Sequence, residues 1–348
     1  MNTALAPIKE PVPVRDVTLE SPRGKRAQSH LVATKVRART LLAVPIASAV
    51  AIAIHLAVKN NDPEPNTTSY LVLLASVLAL SLVLVIVQVF SDSLRRWLVH
   101  MAPILAAAIA SLCVWEIITS GVRWLPLPYF PSPASVFRTL IWDWDELFKG
   151  TWHSLALLLS GYVLGALIGV ITGICVGWFK WARYWGMPLL KIVGPIPATA
   201  WIPLAMVVSP KPIFSAVGLI ALAVWFPVTM LTMSGIANTR ASYLDVARTL
   251  GASPAFLIFR VAIPAAMPSI FIGLFMGLGA SFLTLIVAET VGVRAGLGWY
   301  VSWAQGWAEY AKVYAALVIM AAFFSTIMTL LFKLRDRVLV WQKGTIKW

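Results

Sequence analysis

Residues 238–264 read NTRASYLDVARTLGASPAFLIFRVAIP, a polar, cation-bearing island set between two strongly apolar segments. The spacing predicts two short helices hinged at Gly251. Ser242 with Asp245 three residues on has the form of a capping box, and Gly251 suits a helix C-terminus. Ser253 and Pro254 then supply an N-cap and a first-turn proline, and Pro264 is expected to end the second helix. A chain that keeps so structured a polar loop between long apolar segments has something to dock there.

The surroundings of this island define the class. Of 348 residues, 59% are hydrophobic and only 12% charged, where a soluble domain carries about 25% charged residues. The 16 tryptophans suit bilayer interfaces, where indole rings settle. The net charge of +14 follows membrane topology rather than a nucleic-acid surface, as the loop count below shows. Cys113 and Cys175 both lie inside apolar segments, which argues against a disulfide framework or a thiolate metal site.

Eight segments reach the ~20 apolar residues a bilayer crossing needs: 40–58, 69–90, 100–121, 151–179, 187–209, 213–238, 268–292 and 313–332. Only Pro210, Lys211 and Pro212 separate the fifth from the sixth, so one of that pair is expected to be short or broken. With the N-terminus inside, the inner parts hold 20 Lys/Arg and the outer loops 7. This positive-inside bias predicts both termini in the cytoplasm and places residues 239–267 on the same side. Residues 1–39, with eight Lys/Arg, read as a disordered cytoplasmic tail within reach of anionic lipid. Their first apolar run starts too late for a typical cleaved signal peptide. The outer loop 122–150 contains Pro131-Ser132-Pro133 followed by an amphipathic stretch, which suits a short interfacial helix, with an ordinary interfacial connector as the other reading.

Segment four carries Gly161, Gly165, Gly169, Gly173 and Gly177, one every four residues. At 3.6 residues per turn they line one slowly drifting face and predict a closely approaching partner helix. Three charges fall within spans, where such residues are functional candidates. Lys191, near a span end, is expected to snorkel to the interface. Glu116 reads as structural, and Glu289 stands open between a structural role and a gate or docking role. Proline and glycine interruptions at Pro195, Pro197, Pro203, Pro227, Gly277 and Gly279 mark segments five to seven as the candidate translocation path, with simple packing kinks as the alternative.

Nothing in the sequence offers catalysis. It lacks a phosphate-binding GxxxxGK[ST] loop, an HExxH, a CxxC and a Gly-x-Ser-x-Gly, and its four histidines are scattered. A secondary transporter or channel uncoupled from an ATPase stays open as an alternative. It calls for mid-membrane ionisable residues or inverted repeats, whereas the three intramembrane charges sit near span ends.

At residues 238–264 the sequence resembles a known signature. Asp245-Val246-Ala247, three residues, Gly251, nine residues, then Val261-Ala262-Ile263-Pro264 has the spacing of the cytoplasmic loop of ABC importer permeases. That pattern is Glu-Ala-Ala, three residues, Gly, nine residues, Ile-x-Leu-Pro. Trp115-Glu116, Leu125-Pro126, Pro131-Ser132-Pro133, Gly194-Pro195-Ile196-Pro197, Trp201-Ile202-Pro203-Leu204, Trp225-Phe226-Pro227, Ala288-Glu289 and Gly296-Leu297-Gly298 look like nitrate/sulfonate/taurine-type members. The resemblance covers residues 100–348. Residues 40–99 are an additional two-helix membrane segment, and 1–39 the basic tail.

The resemblance implies an all-α polytopic membrane protein of about eight helices, the last six forming a type I importer permease core with a coupling loop at 239–267. It implies that Asp245, Ala247, Arg248, Gly251, Ala252, Ser253, Phe256, Ile263 and Pro264 form the loop that meets an ATPase subunit. The chain itself would then hold no cofactor and no metal, and ATP with magnesium would be used by that partner. The other implied partners are a periplasmic or lipid-anchored solute-binding protein and a second permease copy, in a bacterial inner membrane and without nucleic acid. Implied cargo is a small anion or sulfonate-like solute such as nitrate, bicarbonate or taurine.

Overall fold

The computed structural model describes residues 22–58, 67–122, 124–125 and 127–342, and among them it is helical with no strand. Two compact units are present. The first holds α1 (Pro22–Ala57), α2 (Thr68–Val87) beyond its first turn, and α3 (Asp92–Glu116) as far as Trp115. The second takes in the first turn of α2, to Tyr70, together with the residues from Glu116 onward. The division at 99–100 that the resemblance implies falls inside α3.

The membrane-spanning stretches of α1, α2 and α3 are strongly apolar, as spans in lipid are. Their few hydroxyls bond back along their own helix: Ser48 Oγ donates to Val44 O at 2.9 Å and Ser81 Oγ to Leu78 O at 2.8 Å. α1 departs from the expectation of a disordered tail. Residues 22–39 continue helically into the first span, from Pro22 at the helix start through a stretch rich in Ala, Arg and Lys. Residues 1–21 lie outside the described residues, as do Arg123 and Pro126 of the outer loop.

The second unit opens with a π turn (Ile117–Gly121) and then α4 (Pro133–Trp142), the short helix expected after Pro131-Ser132-Pro133. Its N-cap is Ser132, whose hydroxyl accepts from Ser135 N at 3.2 Å. Next come α5 (Trp144–Trp178), α6 (Lys180–Val193), a 3₁₀ turn (Ala198–Trp201), α7 (Ile202–Val208) and α8 (Pro212–Ala237). α9 (Ala241–Thr249) precedes α10 (Pro254–Phe256), a π turn (Leu257–Ala262), α11 (Ile263–Ala288) and a second π turn (Glu289–Val293). α12 (Leu297–Gly306) and α13 (Tyr310–Val338) complete the described core.

α8 is the central helix, packed between α5 and α11. The five glycines of α5 all face it. A Cβ on Gly161 would lie 2.6 Å from the Ile220 side chain, on Gly165 2.4 Å from Ala221 O, on Gly169 2.9 Å from Val228, on Gly173 2.5 Å from Thr232, and on Gly177 2.9 Å from Ile236. Partner numbers rise with glycine numbers, so α5 and α8 run parallel. On its other side Gly235 meets Ala266 and Ser269 while Gly273 and Gly277 meet Val228 and Val224, so α11 is antiparallel to α8.

The parallel pair decides the fifth span. A chain leaving α5 and entering α8 in the same direction must first recross the membrane. That return is made by α6 and α7, bent by 83° at the break between Val193 and Ala198. It is the broken span expected from the Pro-Lys-Pro junction. Among the described residues, seven helices are long and apolar enough to cross a membrane, and eight with this bent pair counted as one span.

Candidate coupling surface and translocation path

α9 begins at Ala241 behind Arg240, whose side chain makes no cap. Ser242 therefore falls within the first turn, and the expected Ser242–Asp245 capping box is not formed. Asp245 Oδ1 instead accepts from Arg248 Nη1 at 3.0 Å, an exposed i,i+3 pair. The C-terminus follows the expectation. Gly251 has φ +81°, its N–H donates to Arg248 O at 2.9 Å, and Ala252 N–H donates to Ala247 O at 3.0 Å. This is a Schellman closure, and the left-handed residue at its corner is where glycine is favoured.

Ser253 then caps the next helix, accepting from Phe256 N at 3.3 Å with Pro254 at the first turn. That second helix does not stop at Pro264. It continues through the π turn into α11, making one apolar helical run over Pro254–Val293. Ile263 and Pro264 follow the π turn directly, so the N–H that Pro264 lacks falls where the regular i to i−4 ladder is already interrupted. The hinge at Gly251 thus joins a short surface helix directly to a span packed on α8.

α9 buries no residue, and its neighbourhood exposes five large apolar side chains: Tyr243, Val246, Leu250, Phe256 and Phe259. Leu250, at the C-cap, is 82% exposed. Asp245, Arg248, Gly251, Ser253 and Phe256 are exposed, whereas Ala247, Ala252, Ile263 and Pro264 are half-buried.

The break in the fifth span opens a cavity of about 370 Å³. Its walls come from the break (Gly194, Pro197, Thr199), from α8 (Ala223, Phe226, Pro227) and from α11 (Met276, Ala280, Thr284), among others. Gly194 approaches the Phe226 ring so closely that a Cβ would lie 2.1 Å from it. Pro227 leaves α8 unbroken, but it has no N–H for the carbonyl of Ala223 four residues earlier. Both residues line the cavity.

The other path candidates lie elsewhere. Pro203 is in the first turn of α7, and Pro195 is exposed. Gly277 is buried against Val224, while Gly279 has open space around its Cα within an unbroken α11. The interruptions expected at Pro203, Pro227, Gly277 and Gly279 are therefore not breaks. A proline near a helix start is tolerated, and the glycines leave the helical hydrogen bonding intact.

Glu289 is fully buried, apart from the cavity. Its Oε1 accepts from Ser154 Oγ at 2.6 Å and its Oε2 from Gly298 N at 2.8 Å, while Ser154 Oγ accepts from Leu297 N at 2.9 Å. The carboxylate and Ser154 together satisfy two of the free N–H groups that begin α12, those of Leu297 and Gly298. Gly296, at φ +95°, leaves room for this: a Cβ there would lie 2.1 Å from Oε1. Farther along α12, Tyr300 donates to Asp143 Oδ2 at 2.7 Å, and Lys312 lies 3.5 Å from the same carboxylate and 2.6 Å from Glu309. Burial, and then the bond to Asp143, push the Tyr300 hydroxyl pKa well up.

Ser154, Asp143 and Tyr300 escape a reading of the sequence. Nothing local marks one serine in an apolar helix, and its partner lies 135 residues away. The same holds for Thr172 and Thr229, whose hydroxyls lie 2.8 Å apart, and for Trp225, which donates to Thr172 at 3.1 Å across the glycine seam.

Comparison with known proteins bears on the second unit. A family model described as binding-protein-dependent transport system inner membrane component matches residues 165–340. The chain is 30% identical over 213 residues to an aliphatic sulfonates transport permease protein of Bacillus subtilis, covering 60% of this chain and 76% of that one. It is 30% identical over 193 residues to a bicarbonate transport system permease protein of Synechocystis, covering 52% and 68%. An Escherichia coli aliphatic sulfonates transport permease protein is 29% identical over 204 residues, covering 57% and 75%.

Proposed function

The chain belongs to the binding-protein-dependent transport system inner membrane components, the permeases of ABC importers, and from that premise we propose how it is driven. The loop at 239–267 receives an ATPase subunit, which hydrolyses ATP with magnesium on the permease's behalf. A solute-binding protein delivers cargo on the opposite face, and a second permease copy completes the path. The protein lies in a bacterial inner membrane with both termini in the cytoplasm, as the distribution of Lys and Arg favours.

The observation that carries this reading is the exposed apolar surface of α9, capped at Gly251 and continuous with the α11 span. It combines a surface that lacks a partner among the described residues with a short, capped connection at Gly251 to a helix packed in the core. Closure of the ATPases would displace α9, and the helical run from Pro254 would pass that motion to α11 and α8. Those two helices, with the broken fifth span, wall the 370 Å³ cavity, so a rigid-body tilt would switch its access from outside to inside. Asp245, Ala247, Arg248, Gly251, Ala252, Ser253 and Phe256 belong to the docking element, and Ile263 and Pro264 to its junction with the span. Pro197 and Pro227 line the path, and Gly161, Gly165, Gly169, Gly173 and Gly177 hold the seam beside it.

The cargo we propose is a small anion or sulfonate-like solute, supported by relatives named for aliphatic sulfonates and for bicarbonate. A secondary transporter uncoupled from an ATPase is disfavoured by the family match. The test is co-purification. Leu250→Asp changes an exposed side chain, and Gly251→Pro removes the N–H and the left-handed corner of the closure. Both variants are expected to insert normally and to lose the ATPase subunit. An intact complex with unchanged substrate-stimulated ATP hydrolysis in both would remove the docking role.

A further inference from the structure

The first unit lies outside the family match at 165–340 and carries a cationic feature of its own. α1 is a single helix over Pro22–Ala57 whose membrane-spanning half is Thr40–Ala57. The preceding residues 22–39 hold six Lys/Arg and no Asp or Glu. Because α1, α2 and α3 are three successive crossings, the start of α3 returns to the side on which residues 22–39 lie. There Arg95 and Arg96, both exposed, line a recess of about 390 Å³ with Asp92 and Val99. Neither guanidinium has an ion pair among the described residues.

Beside them, large apolar side chains stand clear of the protein: Phe90 is 86% exposed and Trp97 50%. Unpaired cations next to an exposed indole and phenyl ring at the end of a span match the two layers of a membrane surface. The rings fit the acyl boundary and the guanidiniums fit the phosphates just above it. Guanidinium also meets phosphate oxygens in a forked geometry that lysine does not offer.

We infer that Arg95 and Arg96 bind the phosphodiester headgroup of an anionic phospholipid in the leaflet on their side of the membrane. The inference takes its leaflet from the topology proposed above, but not its chemistry. An acidic protein surface would suit the charge and leave Phe90 and Trp97 unexplained, which favours lipid.

The experiment uses the full-length permease with its ATPase, reconstituted in nanodiscs containing phosphatidylglycerol and phosphatidylcholine, with retained lipid read by native mass spectrometry. One basic side chain at an anionic surface is worth roughly a fivefold change in partitioning. Wild-type protein is therefore expected to enrich phosphatidylglycerol on the order of tenfold, R95Q/R96Q to approach parity, and R95K/R96K to keep most of the enrichment. The lysine variant separates lost charge from lost folding. Equal retention of both lipids by the wild type, or enrichment unchanged in R95Q/R96Q, overturns the inference. So does displacement of the lipid by millimolar inorganic phosphate, which would make free phosphate the ligand. Loss of ATPase with lipid retained in R95Q/R96Q would assign the pair to a protein contact and equally overturn it. Failure of the wild type to hold any ATPase, with lipid enrichment intact, would count against the importer reading and leave this one standing.

Discussion

The Glu289 carboxylate accepts a 2.6 Å hydrogen bond from the Ser154 hydroxyl, 135 residues earlier in the chain, and the same hydroxyl accepts the Leu297 N–H. Three elements, α5, the end of α11 and the start of α12, are thereby joined through two side chains with almost no exposure to solvent. A buried carboxylate is costly unless its oxygens are hydrogen-bonded, and here each oxygen has a donor. Glu289 is thus a structural tie in this arrangement, and any gating role would act by breaking it.

Removing one partner exposes that dependence. Ser154→Ala takes a donor from Oε1 and an acceptor from Leu297 N–H, at an expected cost of about 1–3 kcal/mol. Gly296→Ala should cost at least as much, because its Cβ would collide with Oε1 and its φ is positive. Gly279→Ala, with open space around it and a helical backbone, is the matched control and should be neutral or slightly stabilising. Thermal unfolding in detergent gives the ranking, and equal midpoints for Gly296→Ala and Gly279→Ala would remove the tie.

The glycine seam makes a sharper contrast. Gly173→Ala puts a Cβ 2.5 Å from Thr232 across parallel helices, whereas Gly218→Ala on α8 meets nothing within 4 Å. The first is expected to destabilise by about 1–3 kcal/mol through overpacking. The second should be neutral or stabilising by up to ~1 kcal/mol through helix propensity. Denaturant or thermal midpoints decide it.

Filling the cavity tests the path. Thr284→Trp places an indole in a space of about 370 Å³ walled by the broken span, α8 and α11. Proteoliposome uptake is expected to fall by roughly tenfold or more while the ATPase subunit still co-purifies. An order of magnitude in rate corresponds to about 1.4 kcal/mol of barrier. Undiminished uptake would place the route elsewhere.

Tyr300 predicts a pH dependence in the first turn of α12. Its hydroxyl pKa is raised in the folded protein, so the fold holds that proton more tightly than the unfolded chain does. The stabilisation is complete below the unfolded tyrosine value of about 10 and is lost as pH rises above it. Wild-type thermal midpoints should therefore fall more steeply between about pH 10 and 11 than those of Tyr300→Phe. Parallel curves would mean that neither burial nor the bond to Asp143 holds the Tyr300 proton in the fold.

The sequence by itself determined whatever rests on local chemistry. Apolar runs of bilayer length need no knowledge of their neighbours, so the helical membrane class and all eight spans were legible, the weak fifth one included. Gly251 and Ser253 announced their caps because a left-handed corner and a side chain bonded three residues ahead are local events. The five glycines of α5 announced a close partner but not its identity.

Tertiary structure decided the rest. That α8 fills the glycine seam in parallel, which forces the bent α6–α7 pair to recross, depends on contacts some 60 residues apart. The capping box failed because the helix start moved one residue upstream of Ser242, and Pro264 failed as a stop because the π turn delivers it to the start of a packed span. Glu289 finds Ser154 only when α5 and α11 lie side by side. A carboxylate near a span end has the same local signature whether it faces water or a buried serine, so only packing distinguishes the two.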